Sequence, residues 1–294
     1  MDRAEIFNSY RPLLFSIAYR MLGTVMDAED MLQETFLRWQ RASVENVENP
    51  RAFLSAVVTR LCIDQLRSVR VQREEYIGPW LPEPLMMSEP TQLDSMILAE
   101  SISTAFLILL ENLNPVERAV YLLHEVFDYD YAEIAQIVHK TEDNCRQLFS
   151  RAKKYITERR PRFEPDREQN ERLLFTFQRA IANGDMNGLL EILAEDIVLY
   201  SDGGGKVSAA RKPVLGSKRV ARFFFGIAKR LPLGLQIRFV QVNGLPGFVN
   251  YIYKTATSVY AFQILDGRIQ NVFAVSNPEK LKRIRPINEN GMPS

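Results

Sequence analysis

The side chains best suited to chemistry lie on a predicted helix that starts after Thr141. Asn144, Arg146, Gln147, Ser150, Arg151 and Lys154 share its outer face, while Cys145, Leu148, Phe149 and Ala152 share the inner one. Amides, a hydroxyl and guanidinium groups can read base edges in a major groove, and the cations can grip phosphate. The short helix before it, Tyr131 to Val138, has small Ala135 where a second helix can cross closely, and Thr141 is the expected N-cap of the helix that follows. The pair reads as a helix-turn-helix. A helical hairpin with no DNA role is the alternative, and the polar, basic outward face weighs against it.

Two further faces could bind. In DAEDMLQETFLRW, residues 27 to 39, an inward stripe of Ala28, Met31, Leu32, Phe36 and Trp39 leaves Asp30, Gln33, Glu34 and Leu37 together outside, flanked by Asp27 and Arg38. An acidic face around an exposed leucine suits a protein partner better than DNA, although a solvated face has the same pattern. The helix from Arg51 to Val69 buries Leu54, Val57, Val58 and Leu61 and aligns Arg60, Asp64 and Arg67 opposite them. With Phe53, Thr59 and Ser68 beside Arg51 and Arg70, it combines cations for a backbone with flat or polar groups for unstacked bases, as a single strand requires. Ion pairing of Asp64 with Arg60 and Arg67 on a solvated surface is equally consistent with the spacing.

These faces need elements to position them. From Ile6 to about Arg73 apolar residues recur at three and four, so the first module is all-helical. Residues 76 to 95 carry four prolines and a glycine and read as a linker; helical periodicity resumes from 96 to 160, and Pro161 and Pro165 break it. After Glu171 the pattern changes to three amphipathic helices and a strand at Ile197 to Tyr200. Strand-like runs at 235–242, 248–254 and 258–265 follow, then an Asp266-Gly267 hairpin turn and a last strand. That order implies an antiparallel meander wrapped over helices. The expected division is 1–75, a linker 76–95, a helix-turn-helix module 96–160, a linker 161–170, an α+β module 171–285 and a tail 286–294.

The 294 residues, 46% hydrophobic and 25% charged, fit two or three small globular domains. A net charge of +1 argues against a protein that coats nucleic acid by charge, so DNA contact must be local or assisted. The first residues lack the apolar core of a signal peptide and no run is long enough to span a bilayer, so a cytoplasmic location without membrane contact is expected. Cys62 and Cys145 sit on apolar helix faces and are expected to be structural, and the isolated His124 and His139 are expected to be surface or packing residues, not ligands. No metal site or cofactor is expected.

Taken in order, DAEDMLQETFLRW, NPRAFLSAVVTRLCIDQLRS and LNPVERAVYLLHEVFDYDYAEIAQIVHKTEDNCRQLFSRAKKY resemble the two domains of extracytoplasmic-function (ECF) RNA polymerase sigma factors, over residues 1 to about 160. The resemblance implies that Asp27, Asp30, Gln33, Glu34, Leu37 and Arg38 meet the clamp helices of the polymerase's largest subunit. It places Arg51, Phe53, Thr59, Arg60, Asp64, Arg67, Ser68 and Arg70 at the minus-ten strand. Asn144, Arg146, Gln147, Ser150, Arg151 and Lys154 fall at the minus-thirty-five duplex, and the polymerase flap is a further implied partner. Leu148 stands where many members carry arginine. NCRQLFSRA instead resembles the subgroup with a SnoaL-like extension, as do Trp80, Leu81 and Pro82 of WLPEP, Asp202, Gly203, Gly204, Gly205 and Lys206, and Asn277, Pro278, Lys280 and Leu281. In that subgroup the extension contacts the sigma domains and tunes activity, which here implies regulatory intramolecular contacts.

SnoaL-like folds form a cone with a pocket, so an unknown small ligand and catalysis both come into view. Residues 171 to 294 contain no histidine or cysteine, and a general base would have to be Asp202 or Asp266, the latter an expected turn residue. A non-enzymatic, regulatory extension is therefore expected. The alternatives are a helix-turn-helix regulator that works on duplex DNA without polymerase, and a DNA-binding domain fused to an enzyme.

Overall fold

The computed structural model describes residues 2–42, 47, 49–74, 76–86, 103–159, 167–230 and 232–287, the side chains of 69–74 and 167 excepted. The chain divides into two compact units, Met1–Glu75 with Phe106–Arg160, and Tyr76–Ala105 with Pro161–Ser294. The two helical segments, separate modules by sequence pattern, thus share one unit, and the proline-rich segment between them belongs to the other.

The first unit holds α1 (Arg3–Leu22), α2 (Val25–Arg41), α3 (Pro50–Glu74), α4 (Thr104–Glu111) from Phe106 onward, α5 (Pro115–Glu125), α6 (Tyr131–Val138) and α7 (Glu142–Arg159). Local chemistry sets the breaks. Asp2 and Glu5 form a capping box on α1, Gly23 ends it at φ 75°, and the Thr24 hydroxyl accepts from the Asp27 amide to start α2. Asn114 with Glu117 and Asp130 with Glu133 cap α5 and α6 in the same reciprocal way. The first three helices meet through Phe7 on Phe36 at 4.9 Å and Trp39 on Phe53 at 5.7 Å between ring centres.

The second unit holds α8 (Arg167–Asn183), α9 (Met186–Ile192), β1 (Leu193–Asp202), β2 (Val214–Leu215), α10 (Ser217–Ala228), β3 (Gln236–Val242), β4 (Leu245–Ile252), β5 (Thr255–Leu265), β6 (Arg268–Val275) and α11 (Pro278–Leu281). The six strands run in the order β2-β1-β6-β5-β4-β3. The antiparallel meander is present from β3 to β6, with Asp266 and Gly267 at φ 50° and 69° in its last hairpin. β1, however, pairs parallel to β6, which makes the sheet mixed. α8 begins at Arg167, inside the segment expected to be a linker, because the polar residues before Glu171 continue its helical turn outward.

Alternation along the strands gives the sheet two working faces. Leu199, Phe248, Tyr260, Phe262, Val272 and Ala274 point to the helices, where Leu174, Phe177, Leu189, Val220 and Phe224 complete one apolar core. The space between helices and sheet is filled by rings, with Phe177 at 4.9 Å from Phe224 and 5.1 Å from Phe262, and Phe248 at 4.8 Å from Tyr260. The opposite face carries Tyr200 stacked on Phe273 at 5.6 Å, and Asp202. No described helix is long and apolar enough to cross a membrane.

Candidate nucleic-acid interface

On α2 the stripe is amphipathic as expected: Ala28, Leu32 and Trp39 are buried, while Asp30, Gln33, Leu37 and Arg38 are exposed and Asp27 and Glu34 half-buried. Arg38 pairs with Glu34 at 2.8 Å along the outer face. Beside that face a cavity of about 280 Å³ is lined by Phe7, Arg11, Glu29, Asp30, Gln33 and Phe36, and Arg11 crosses to Glu29 at 2.5 Å.

On α3 the outcome is mixed. Asp64, Arg67 and Ser68 are exposed, with Arg67 at 3.4 Å from Asp64. Thr59 corrects the reading of a strand-facing hydroxyl: it is fully buried, and its Oγ1 has no hydrogen-bond partner among the described residues. Thr59 falls on the same helical stripe as buried Cys62, Ile63 and Leu66, whereas Leu61, expected inside, is only half-buried, so the apolar face is turned from Leu61 toward Thr59. Phe53 is half-buried against Trp39, and the Arg70 side chain lies outside the described residues.

The two arginines nearest the start and middle of α3 are engaged by the helix-turn-helix segment. Arg51 stacks over the Tyr129 ring at 4.6 Å and donates to the Phe127 carbonyl at 3.3 Å. Arg60 donates to the carbonyls of Gln136 and Ile137, both at 2.8 Å, so its guanidinium sits on the C-terminal carbonyls of α6 where a cation is favoured. Two buried bonds support this contact: the Tyr129 hydroxyl donates to Ser55 at 2.7 Å, and Arg118 donates to the Met21 carbonyl at 2.6 Å. Sequence patterning gave no sign of Ser55, Arg118 or Tyr129 as partners, since each bond joins residues at least 74 positions apart.

The helix-turn-helix is α6, a turn through His139 at φ 55°, and α7. Thr141 Oγ1 accepts from the Asn144 amide at 3.3 Å, the cap expected of it. Cys145, Leu148, Phe149 and Ala152 are buried; Asn144, Arg146, Gln147, Ser150, Arg151 and Lys154 are exposed. Their charges are partly answered within the chain, since Arg146 reaches Glu142 at 2.8 Å and Asp143 at 2.9 Å, and Arg151 reaches Glu117 at 3.4 Å. His124 is a packing residue, its ring 4.5 Å from Phe149 and 4.3 Å from Tyr131.

In the second unit the glycine-rich, WLPEP and NPEKL segments come together around one carboxylate. Asp202 is fully buried and accepts from the Tyr76 hydroxyl at 2.6 Å, the Leu81 amide at 2.9 Å, the Gly204 amide at 3.0 Å and the Lys280 ammonium at 2.8 Å. Lys280 also bonds the Leu81 carbonyl and lies 4.2 Å from the Trp80 ring centre. Asn277 caps α11, with Pro278 as the first helical residue, and donates to the Tyr76 hydroxyl at 3.0 Å; Lys206 pairs with Glu279. Burial, then the bond to Asp202, pushes the Tyr76 phenol up. Gly204, at φ 62°, lies so close to Asn277 that a Cβ would stand 2.4 Å from its amide nitrogen.

The same segment is held again further on. The Leu85 amide donates to Asn243 Oδ1 at 3.0 Å, the Asn243 amide returns a bond to the Leu85 carbonyl at 2.9 Å, and Met86 bridges to Val242. Asp202 ends β1 and Asn243 turns β3 into β4, so Leu81 to Leu85 crosses the sheet from one to the other, on the face opposite the helices. Tyr76 and Asn243 were missed from sequence; the aromatic at the head of a proline-rich segment and the Asn-Gly turn were their only local marks.

The sigma-70 region 2 family matches residues 6–71 and the sigma-70 region 4 family residues 104–156. The chain is 35% identical over 288 residues to the ECF RNA polymerase sigma factor SigJ of Mycobacterium tuberculosis, covering 93% of this chain and 91% of that one. The chain belongs to the ECF RNA polymerase sigma factor family. This ECF sigma factor is also 31% identical over 283 residues to the probable ECF sigma factor SigI of the same organism, covering 95% of this chain and 94% of that one. The crystal structure of SigJ superposes with a TM-score of 0.75 at 32% identity, covering 94% of this chain and 97% of that one. The likeness spans the sheet-bearing unit as well as the helical one. As an ECF sigma factor the chain binds core RNA polymerase and promoter DNA and directs transcription initiation; a regulator that works without polymerase is not favoured.

Proposed function

We propose that this sigma factor is regulated by its own C-terminal unit through the segment that joins its two DNA-reading regions. The observation that carries this is the grip of Asp202 on Tyr76 and Leu81, reinforced by Lys280 and Asn277. A segment that must adjust when regions 2 and 4 take up promoter spacing is thereby pinned at defined atoms to a folded sheet. Within this reading the exposed face of α2, with Asp30, Gln33 and Leu37, docks on the clamp helices of the largest polymerase subunit, and region 4 also meets the flap. α3 holds the minus-ten strand through Arg51, Arg60, Arg67 and neighbours, and α7 reads the minus-thirty-five duplex through Asn144, Arg146, Gln147, Ser150, Arg151 and Lys154.

Arg51 and Arg60 engage carbonyls of region 4 in this structure, so minus-ten binding requires that they exchange these for phosphates or bases. The extension acts as a clamp and not as a catalyst. Its helix-facing core is apolar and filled, Asp202 is used by four donors on the other face, and Asp266 occupies a turn. The test is run-off transcription with purified core enzyme on promoters selected from a random library. Full-length chain should direct a specific transcript, and Asp202→Ala or truncation near Pro165 should change its yield severalfold. Equal yields from all three would remove the regulatory reading, and no transcript from any would remove the residue assignments.

A further inference from the structure

From Gly203 to Leu265 the sequence contains no aspartate or glutamate, while lysine or arginine occupies ten positions. Since the whole chain is nearly neutral at +1, this stretch concentrates positive charge against an acidic remainder. Half of those cations ride on or just past one element, α10. Val220, Ala221 and Phe224 bury its inner side, and Lys218, Arg219, Arg222, Lys229 and Arg230 are all exposed. At 100° per residue Lys218, Arg222 and Lys229 fall within a narrow stripe, with Arg219 on its flank and exposed Gly226 between them.

Four features of this stripe make no sense for a solvated face alone. None of the five cations forms an ion pair among the described residues, whereas Arg146, Arg151 and Lys153 on the recognition helix are each paired with an acid. Lys218 and Arg219 stand in the first turn, the wrong end of the helix dipole for a cation, with no acid there and no side-chain cap. Lys218 and Arg222 are also like charges at i and i+4. Gly226 costs a helix interior about 1 kcal/mol relative to alanine. A Cβ there would meet nothing within 4 Å, so internal packing does not require a glycine. An anionic backbone lying along the helix answers all four: it neutralises the row and the repulsion within it, suits the N-terminal turn, and comes closest where there is no side chain.

We infer that the exposed face of α10 is a third DNA-binding surface, a sequence-independent contact of the C-terminal unit with duplex phosphates. DNA is the polyanion this family already holds. A unit tethered to a promoter-bound chain sees duplex at an effective concentration of about a millimolar, at or above the ~10⁻⁴ to 10⁻⁶ M range of non-specific affinities. From Lys218 to Lys229 the stripe runs about 16 Å, enough to follow four or five phosphates of one strand at ~3.4 Å each.

The experiment compares full-length chain with the variant Lys218→Gln, Arg222→Gln, Lys229→Gln, titrating salt against a fluorescent duplex of random sequence. A control variant carries Arg268→Gln, Lys282→Gln and Arg283→Gln, which removes equal charge elsewhere. Taking three cations off the phosphates should flatten the slope of log affinity against log salt by about 2.7, so that about 40-fold of the weakening between about 50 and about 200 mM salt disappears. The control should keep the original slope, and Gly226→Glu alone should weaken binding in the same direction as the triple variant. An unchanged slope, an equal change in the control, or no duplex binding by the unaltered chain overturns the proposal. So does a triple variant that keeps its DNA slope but loses binding to core polymerase without DNA, or to phosphatidylglycerol vesicles. Specific initiation by the unaltered chain tests the sigma-factor roles independently of these outcomes.

Discussion

Consider the removal of charge from the buried cluster around Asp202. Its carboxylate is fully buried and its partner Lys280 nearly so, at 0% and 8% side-chain exposure, so neither can turn to water when the other is lost. Asp202→Asn leaves an ammonium among Trp80, Tyr76 and the Leu81 carbonyl and turns one acceptor oxygen into a donor facing other donors. Breaking one side of a buried pair costs about 3–5 kcal/mol. Lys280→Met strands the carboxylate, which keeps three other donors, and should cost less. The double variant removes both charges, so its loss should fall short of the sum of the singles by about 2 kcal/mol, a coupling within the range for touching groups. The chain has two tryptophans, Trp39 in the helical unit and Trp80 beside Lys280, so a Trp39→Phe background leaves one fluorophore in the cluster. With a urea dependence of about 2 kcal/mol per molar, Asp202→Asn should lower the Trp80 midpoint by about 1.5–2.5 M. A shift below about 0.5 M, or singles that add without coupling, would refute the account of Asp202 as the anchor of the segment.

Other perturbations follow from the same geometry. Gly204→Ala combines a left-handed φ with a clash on Asn277 and should cost the C-terminal unit about 1–3 kcal/mol, read from the same Trp80 transition. The Tyr76 phenol is raised in the folded chain, so its neutral form is the one the fold favours. Its contribution is complete below the ordinary phenol value of 10.0 and is lost as pH rises through the folded value. In the Trp39→Phe background the Trp80 fluorescence should therefore report loosening of the cluster only in that alkaline range, and Tyr76→Phe should abolish this pH dependence. Thr59→Val replaces a buried hydroxyl that has no partner among the described residues with a methyl of the same shape and should stabilise the helical unit by up to about 1 kcal/mol, reported by Trp39 in denaturant. A destabilised Thr59→Val chain would instead imply a bond for that hydroxyl.

What could be read from sequence was whatever repeats at short range. The faces of α2 and α7 followed from three-and-four spacing, and the last hairpin from Asp266-Gly267. The error at Thr59 arose because the stripe on α3 was drawn from four residues, and a threonine at its edge is polar by type yet buried by position. The parallel pairing of β1 with β6 was invisible, since periodicity along one strand says nothing about which distant strand lies beside it. The same holds for Arg60 on the α6 carbonyls, a bond to backbone that no residue type advertises. Asp202, Lys280 and Leu81 were singled out only through resemblance; that all of them converge on one carboxylate was a matter of tertiary structure.

The crossing segment also has a consequence in time. Leu81 leaves the ribosome 199 residues before Lys280, its partner in the cluster. At about 5–20 residues per second, roughly 10–40 s pass during synthesis before that bond can form. Region 4 ends at residue 156, so for the last 124 residues of that interval, roughly 6–25 s, both DNA-reading regions exist joined by a segment that Lys280 does not yet hold. A newly made chain is therefore least restrained at its birth, and the restraint is set by the last residues to be translated.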